Sequence, residues 1–197
     1  MEIHGVKVYG DITPLATDVL YKLEKTLDKK YWKGLKAIHI NQNDYVKAQD
    51  RDNDKLLGTY FRLEDISLED KAVGEIILNY ETPYEKTIKI NKGEIPLICI
   101  NTGFSSDPYY FAFVLLHELG HHNNFEKEKK LSHKQNEINA HLFAMEHVSR
   151  ANIFQQDFEV LLTSKYYMEA YEIHHELEMK KLGDELVSIR EDSKTNT

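Results

Sequence analysis

Residues 108–150 read PYYFAFVLLHELGHHNNFEKEKKLSHKQNEINAHLFAMEHVSR, and this stretch decides the fold. Asp107 can cap a helix, and Pro108 suits the first helical position, where a missing N–H costs nothing. The apolar run Phe111-Ala112-Phe113-Val114-Leu115-Leu116 would bury that helix. Its end is expected near residue 122, because Asn123 and Asn124 tolerate the left-handed backbone of a helix stop. Ser132 and Gln135 then have the spacing of a capping box. They predict a second helix reaching about Arg150, with Ala140 and Ala144 as small side chains that let two helices approach closely.

Outward from this pair, the spacing predicts a third helix from about 154 to 181, stopped near Gly183. Residues 183–197 read as a polar C-terminal tail. Upstream, Thr13 and Pro14 open an amphipathic helix over about 13–31 through Leu15, Val19, Leu20, Leu23 and Leu27, and Gly34 closes that region. Between 35 and 101 the period changes. Leu35–Asn41, Gly58–Leu63, Glu75–Tyr80, Lys86–Asn91 and Ile95–Asn101 are short, apolar and separated by polar or glycine-bearing breaks, which marks them as strands. The turn Asn91-Lys92-Gly93 favours a hairpin between the last two. Asn41–Lys55 reads as a loop, and Leu63–Val73 is ambiguous. No repeat and no Pro/Gly/Ser-rich linker divides the chain. The expectation is one α+β domain over 1–182, with a small, mainly antiparallel sheet.

Bulk properties agree with one globular domain. The 197 residues are 41% hydrophobic and 29% charged, enough apolar material for one core. A net charge of −8 lacks the basic footprint of a nucleic-acid binder, so no nucleic acid is expected as a direct partner. Cys99 is the only cysteine, which excludes an internal disulfide and makes a reducing compartment the default. No stretch approaches the roughly 20 apolar residues of a membrane span, and MEIHGVKVYGDITP has no apolar leader. The expected location is therefore cytoplasmic, away from membranes.

His117-Glu118-Leu119-Gly120-His121 carries the chemistry. Histidines at i and i+4 leave one face of a helix about a turn apart, so both imidazoles can reach one zinc ion. Glu118 is too displaced to join them as a ligand but can reach a water on the metal's open position. The plainer reading is a surface helix with coincidental polar residues. The preceding apolar run argues against it, since buried imidazole nitrogens need partners. A catalytic zinc takes a third protein ligand. Glu137, early in the next helix, is the candidate; Glu126, Glu128, Glu146 and several histidines compete with it. Such a site would acidify a zinc-bound water, with Glu118 taking its proton and passing it to a leaving amine. The leading expectation is a zinc-dependent endopeptidase acting on a protein. The alternative is a metal-stabilised interaction protein that cuts nothing, and an enzymatic rival uses His141 or His147 as third ligand.

Three segments together resemble the ImmA/IrrE metallopeptidases. Ile98-Cys99-Ile100-Asn101 ends a strand in I-N. Phe111 to His121 carries HELGH. Glu137-Ile138-Asn139-Ala140-His141-Leu142-Phe143-Ala144 has the form E-x-x-A-x-x-F-A, the more specific part. The likeness covers about 95–150. It implies a zincin-like fold, Glu137 as third zinc ligand with His117 and His121, and intracellular cleavage of a regulatory protein such as a phage-type or mobile-element repressor. Position 141 is His where the family commonly has Asn, and Met145-Glu146-His147-Val148 stands in place of the usual L-L-M-P.

Weaker signals have plain readings beside them. His141 could support the metal or rival Glu137, although an ordinary hydrogen-bonded polar residue is the simpler account. His122 is expected on the exposed side of its helix. His174-His175-Glu176 has Met179 where a second histidine is needed, and reads as an ordinary helical face. Tyr109, Tyr110, Tyr166 and Tyr167 read as packing aromatics, and Cys99 as a small buried hydrophobe. Ile95–Asn101, with Pro96, is expected at a sheet edge, where it would receive an extended substrate by strand addition.

Overall fold

A computed structural model describes residues 1–10, 12–41, 58–62, 75–78, 88–101, 108–153 and 166–195. The chain opens with a tight hairpin of β1 (Glu2–Ile3) and β2 (Val6–Gly10), too short to show a periodicity in the sequence. Helix α1 (Pro14–Thr26) follows, and the Thr13 side chain accepts from the Ala16 N–H as its cap. A 3-10 turn, Lys29–Trp32, buries Trp32. The predicted helix over 13–31 thus ends early, because Leu27 and Asp28 adopt extended backbone and Asp28 caps the new turn. Gly34, at φ +93°, then directs the chain into β3 (Ala37–Asn41).

Next come β4 (Gly58–Phe61), β5 (Glu75–Leu78), β6 (Ile88–Asn91) and β7 (Leu97–Asn101). The larger sheet has the order β1-β2-β3-β7-β4, and β5 with β6 forms a separate antiparallel pair. The expectation of a mainly antiparallel sheet needs correction. β2, β3 and β7 run parallel at its centre, and only the two edge ladders, β1–β2 and β7–β4, are antiparallel. The physical reason lies in β3 and β7. Ala37, Ile38, Leu97, Ile98, Cys99 and Ile100 are all fully buried, so these strands are covered on both faces, as parallel strands generally are. A short apolar run does not reveal its direction.

The hairpin expected between the last two strands is also absent. β6 pairs with β5, a 3-10 turn at Lys92–Glu94 follows, and β7 inserts between β3 and β4. β7 is therefore an interior strand, with both of its edges occupied.

Alternation along the strands puts Val6, Val8, Ile38, Ile40, Ile98 and Ile100 into one core with α1 and the next helix, α2 (Pro108–Glu128). Buried Val19, Leu20 and Leu23 of α1 and Leu115, Leu116 and Leu119 of α2 meet them there. α2 continues past the predicted stop at 122. Asn123 does not turn the backbone; its Nδ2 donates to the Leu119 carbonyl at 2.8 Å and to the Tyr31 carbonyl at 2.9 Å.

Helix α3 (His133–Arg150) starts where predicted. The Ser132 hydroxyl accepts from the Gln135 N–H at 3.2 Å, while the Gln135 side chain turns to Asn139 at 3.2 Å. α4 (Tyr167–Thr195) runs through Gly183 instead of stopping there. An internal glycine costs about 1 kcal/mol, which good helix formers on both sides can offset. Residues 183–195 are thus helical where a frayed tail was expected. The predicted start of this helix at 154, the loop Asn41–Lys55 beyond its first residue, and Leu63–Val73 lie outside the described residues. The fold is α+β with a small mixed sheet. Among the described residues, no helix is long and apolar enough to cross a membrane.

Candidate metal centre

All five residues His117 to His121 lie in the middle of α2. Leu115, Leu116 and Leu119 are fully buried there and fix the rotation of the helix, so His117 and His121 emerge together on the side facing α3. Their Nε2 atoms are 3.1 Å apart. From α3, Glu137 presents Oε2 at 3.4 Å from His117 Nε2 and Oε1 at 3.4 Å from His121 Nε2. The two histidine side chains are 13% and 15% exposed and Glu137 22%, so the cluster is recessed but open to solvent.

These distances test the fit to zinc. A tetrahedral ion with bonds of about 2.0–2.1 Å separates its ligand atoms by about 3.3–3.4 Å. Each imidazole nitrogen meets a different oxygen of the Glu137 carboxylate at 3.4 Å, close to that edge, and the imidazole pair at 3.1 Å is slightly short of it. His117, Glu137 and His141 also bring one ligand atom each within 4.8 Å of one another. His141 Nδ1, however, is 2.7 Å from His117 Nδ1, a hydrogen-bond length, so these two nitrogens would not both bind one zinc. The set His117, His121 and Glu137 suits a zinc ion, and His141 stands behind it.

Approach of the two helices makes this convergence possible. A Cβ built on Gly120 would stand 3.0 Å from Ala140 Cα and 3.3 Å from Phe143 Cβ. Glycine at 120 and alanine at 140 let α3 come close enough for a carboxylate to meet both imidazoles. The Glu137 carboxyl is held at about 2. Burial pushes it up, but the hydrogen bond from His117 and the charges of His117, His121 and His133 prevail. It is ionised across the neutral range, as a metal ligand must be.

Glu118 lies against β4, near enough to His117, His121 and Glu137 to feel their charges. It is 7% exposed, and burial raises its carboxyl above the usual range despite the opposing pull of His117 and His121. The Tyr60 backbone N–H donates to it. A Cβ at Gly58 would sit 2.8 Å from Glu118 Oε1 and 2.7 Å from Val114 Cγ1, so the glycine makes room for the carboxylate. Sequence reading missed both residues. A glycine opening a strand pattern is a recognised sign of close backbone approach, and Gly58 carried that signal.

His122 is not exposed as expected. Its Nε2 donates to the Lys33 carbonyl at 3.1 Å, so Nδ1 accepts from the Tyr60 hydroxyl at 2.9 Å. Burial holds its ring below the ordinary histidine range. The residue ties β4 and the 3-10 region to α2.

The rival His147 packs its ring 4.3 Å from Phe143 and 4.9 Å from Tyr31, and Glu146 pairs with Arg150 at 2.6 Å. The structure brings neither into the cluster. Glu126 and Glu128 fall on α2 where side chains are not described. Tyr109, Tyr110 and Tyr167 are buried, and Tyr109 and Tyr167 pack against Phe113. Cys99 is fully buried.

Comparison with protein-family models, with curated proteins and with solved structures found no match.

Proposed function

We propose that the chain is a zinc-dependent endopeptidase of zincin type, similar to the ImmA/IrrE metallopeptidases. On this reading it acts in the cytoplasm on a protein such as a phage-type or mobile-element repressor. The observation carrying the reading is the meeting of His117 Nε2, His121 Nε2 and the Glu137 carboxylate at separations of 3.1, 3.4 and 3.4 Å, with a buried carboxylate one residue along the same helix. These three residues would hold the ion. Bound there, zinc supplies an acidified water and a Lewis acid for the scissile carbonyl.

The remaining chemistry belongs to the chain. Glu118 takes a proton from the attacking water and delivers it to the departing amine. Burial raises its carboxyl above the ordinary carboxylate range, which makes the carboxylate a stronger base for the first step. Gly58 and the Tyr60 N–H hold that carboxylate in place.

Substrate pairing on Ile95–Asn101 does not survive, because β7 is flanked by β3 and β4. Among the described residues, β4 is the sheet edge beside the site, and its backbone is where an extended peptide would pair.

Two substitutions test the reading. Zinc-loaded protein is incubated with a diverse peptide library, and new amino termini are mapped by mass spectrometry. Glu118→Gln is expected to keep stoichiometric zinc and to lose about 10²–10⁴-fold in cleavage rate. Glu137→Gln is expected to lower zinc affinity. Cleavage unaffected by Glu118→Gln rejects the catalytic role and favours a metal-stabilised interaction protein. Untagged protein that neither takes up zinc nor gains stability from it rejects the site.

A further inference from the structure

His117 Nδ1 and His141 Nδ1 lie 2.7 Å apart. Two ring nitrogens at that distance share one proton, since two N–H groups or two lone pairs would repel. His141 is 6% exposed. Phe113 and Tyr167 enclose its ring, with centroids at 5.7 and 6.1 Å, and a ring N–H of His141 donates to the Glu137 carbonyl. It therefore touches one ligand-bearing residue on α2 and another on α3.

Metal ligation decides where the shared proton goes. A neutral imidazole that gives Nε2 to a metal carries its hydrogen on Nδ1. We propose that His141 is the positioning residue for His117: its Nδ1 accepts the Nδ1–H of His117 and so fixes that ring with Nε2 turned toward zinc. A ligating histidine usually donates its second N–H to a carboxylate, a carbonyl or water. Here a second, neutral imidazole on the facing helix takes that place, with its own hydrogen on Nε2. The inference rests on the zinc reading of the site, but it concerns the proton and not the cleavage step.

The test uses full-length protein and zinc alone. Affinity is measured by competition with a chromophoric chelator for wild type, His141→Phe and His141→Asn. Circular dichroism of the metal-free forms reports folding. His141→Phe keeps a ring between Phe113 and Tyr167 but accepts nothing, and is expected to weaken zinc about 10–100-fold. His141→Asn offers a carbonyl oxygen and is expected to recover most of that loss. Unchanged affinity in folded His141→Phe overturns the proposal and leaves the metal site standing. A loss in both variants as deep as that of His121→Ala makes His141 a ligand, which also overturns it.

Long-range proton–nitrogen NMR on zinc-loaded wild type needs no substitution. It is expected to show His117 protonated at Nδ1 and His141 at Nε2. A bare His117 Nδ1 overturns the assignment. Wild type that takes no zinc overturns both this inference and the site, whereas expected affinities with no peptide cleavage overturn the peptidase reading alone.

Discussion

A methyl group added at position 58 would land 2.8 Å from Glu118 Oε1 and 2.7 Å from Val114 Cγ1, so either the glutamate or the strand must move. Gly58→Ala is expected to leave zinc affinity unchanged, because His117, His121 and Glu137 are not touched. Peptide cleavage should fall by about 100-fold, the scale of a 1 Å displacement of a reacting group. Chelator competition and cleavage rates on the same preparation separate the two effects; a parallel loss of zinc would count against this role. At this scale, His117, Glu118 and His121 were legible because helical spacing is local information. Glu137 was legible only as one of several candidates, since its choice depends on how α3 crosses α2. The burial of His122 was not legible at all. It depends on the Lys33 carbonyl and the Tyr60 hydroxyl, both far away in sequence.

Between elements, the contact of α2 with α3 governs the metal site. Gly120→Ala gains about 1 kcal/mol of helix propensity. Against this, its Cβ meets the Ala140 backbone at 3.0 Å, an obstacle that cannot rotate away, and overpacking of this kind costs about 1–3 kcal/mol. The steric cost is expected to win. The urea midpoint should drop modestly, and zinc affinity should weaken as α3 carries Glu137 outward. A variant with higher stability and unchanged zinc binding would show that the helices can separate freely. Element positions were largely readable, because strands and helix starts follow local patterns. Pairing was not. LICIN at 97–101 looks the same whether its neighbours are parallel, antiparallel or absent, and only its burial on both faces identifies it as a central strand. Asn123 misled because its side chain had a distant carbonyl to bond.

Across the whole molecule, the buried histidines set the acid response of the metal-free protein. Burial lowers the rings of His122, His141 and His147, and takes His141 to about 3. In the unfolded chain each would take up a proton near 6.5. The unfolded state then binds more protons, so stability is full above that pH and declines as pH falls toward the folded values. Glu118 opposes this trend because its raised carboxyl binds a proton earlier in the folded state, but it is one group against three. Glu137, at about 2, adds to the loss only below its ordinary value of 4.5. The urea midpoint of chelator-treated protein is expected to be lower at pH 5.5 than at pH 8, and a flat profile would contradict the neutral histidines. The α+β class was legible from the run of elements. The N-terminal hairpin was not, because β1 has only two residues and leaves no periodicity to read.

The insertion of β7 between β3 and β4 imposes an order of events on synthesis. Gly58–Phe61 leaves the ribosome well before Leu97–Asn101, yet within this sheet it has no seat until that later segment arrives. The support behind Glu118 is therefore put in place only once β7 is available. A nascent chain stalled just short of Leu97 should leave Gly58–Phe61 open to exchange.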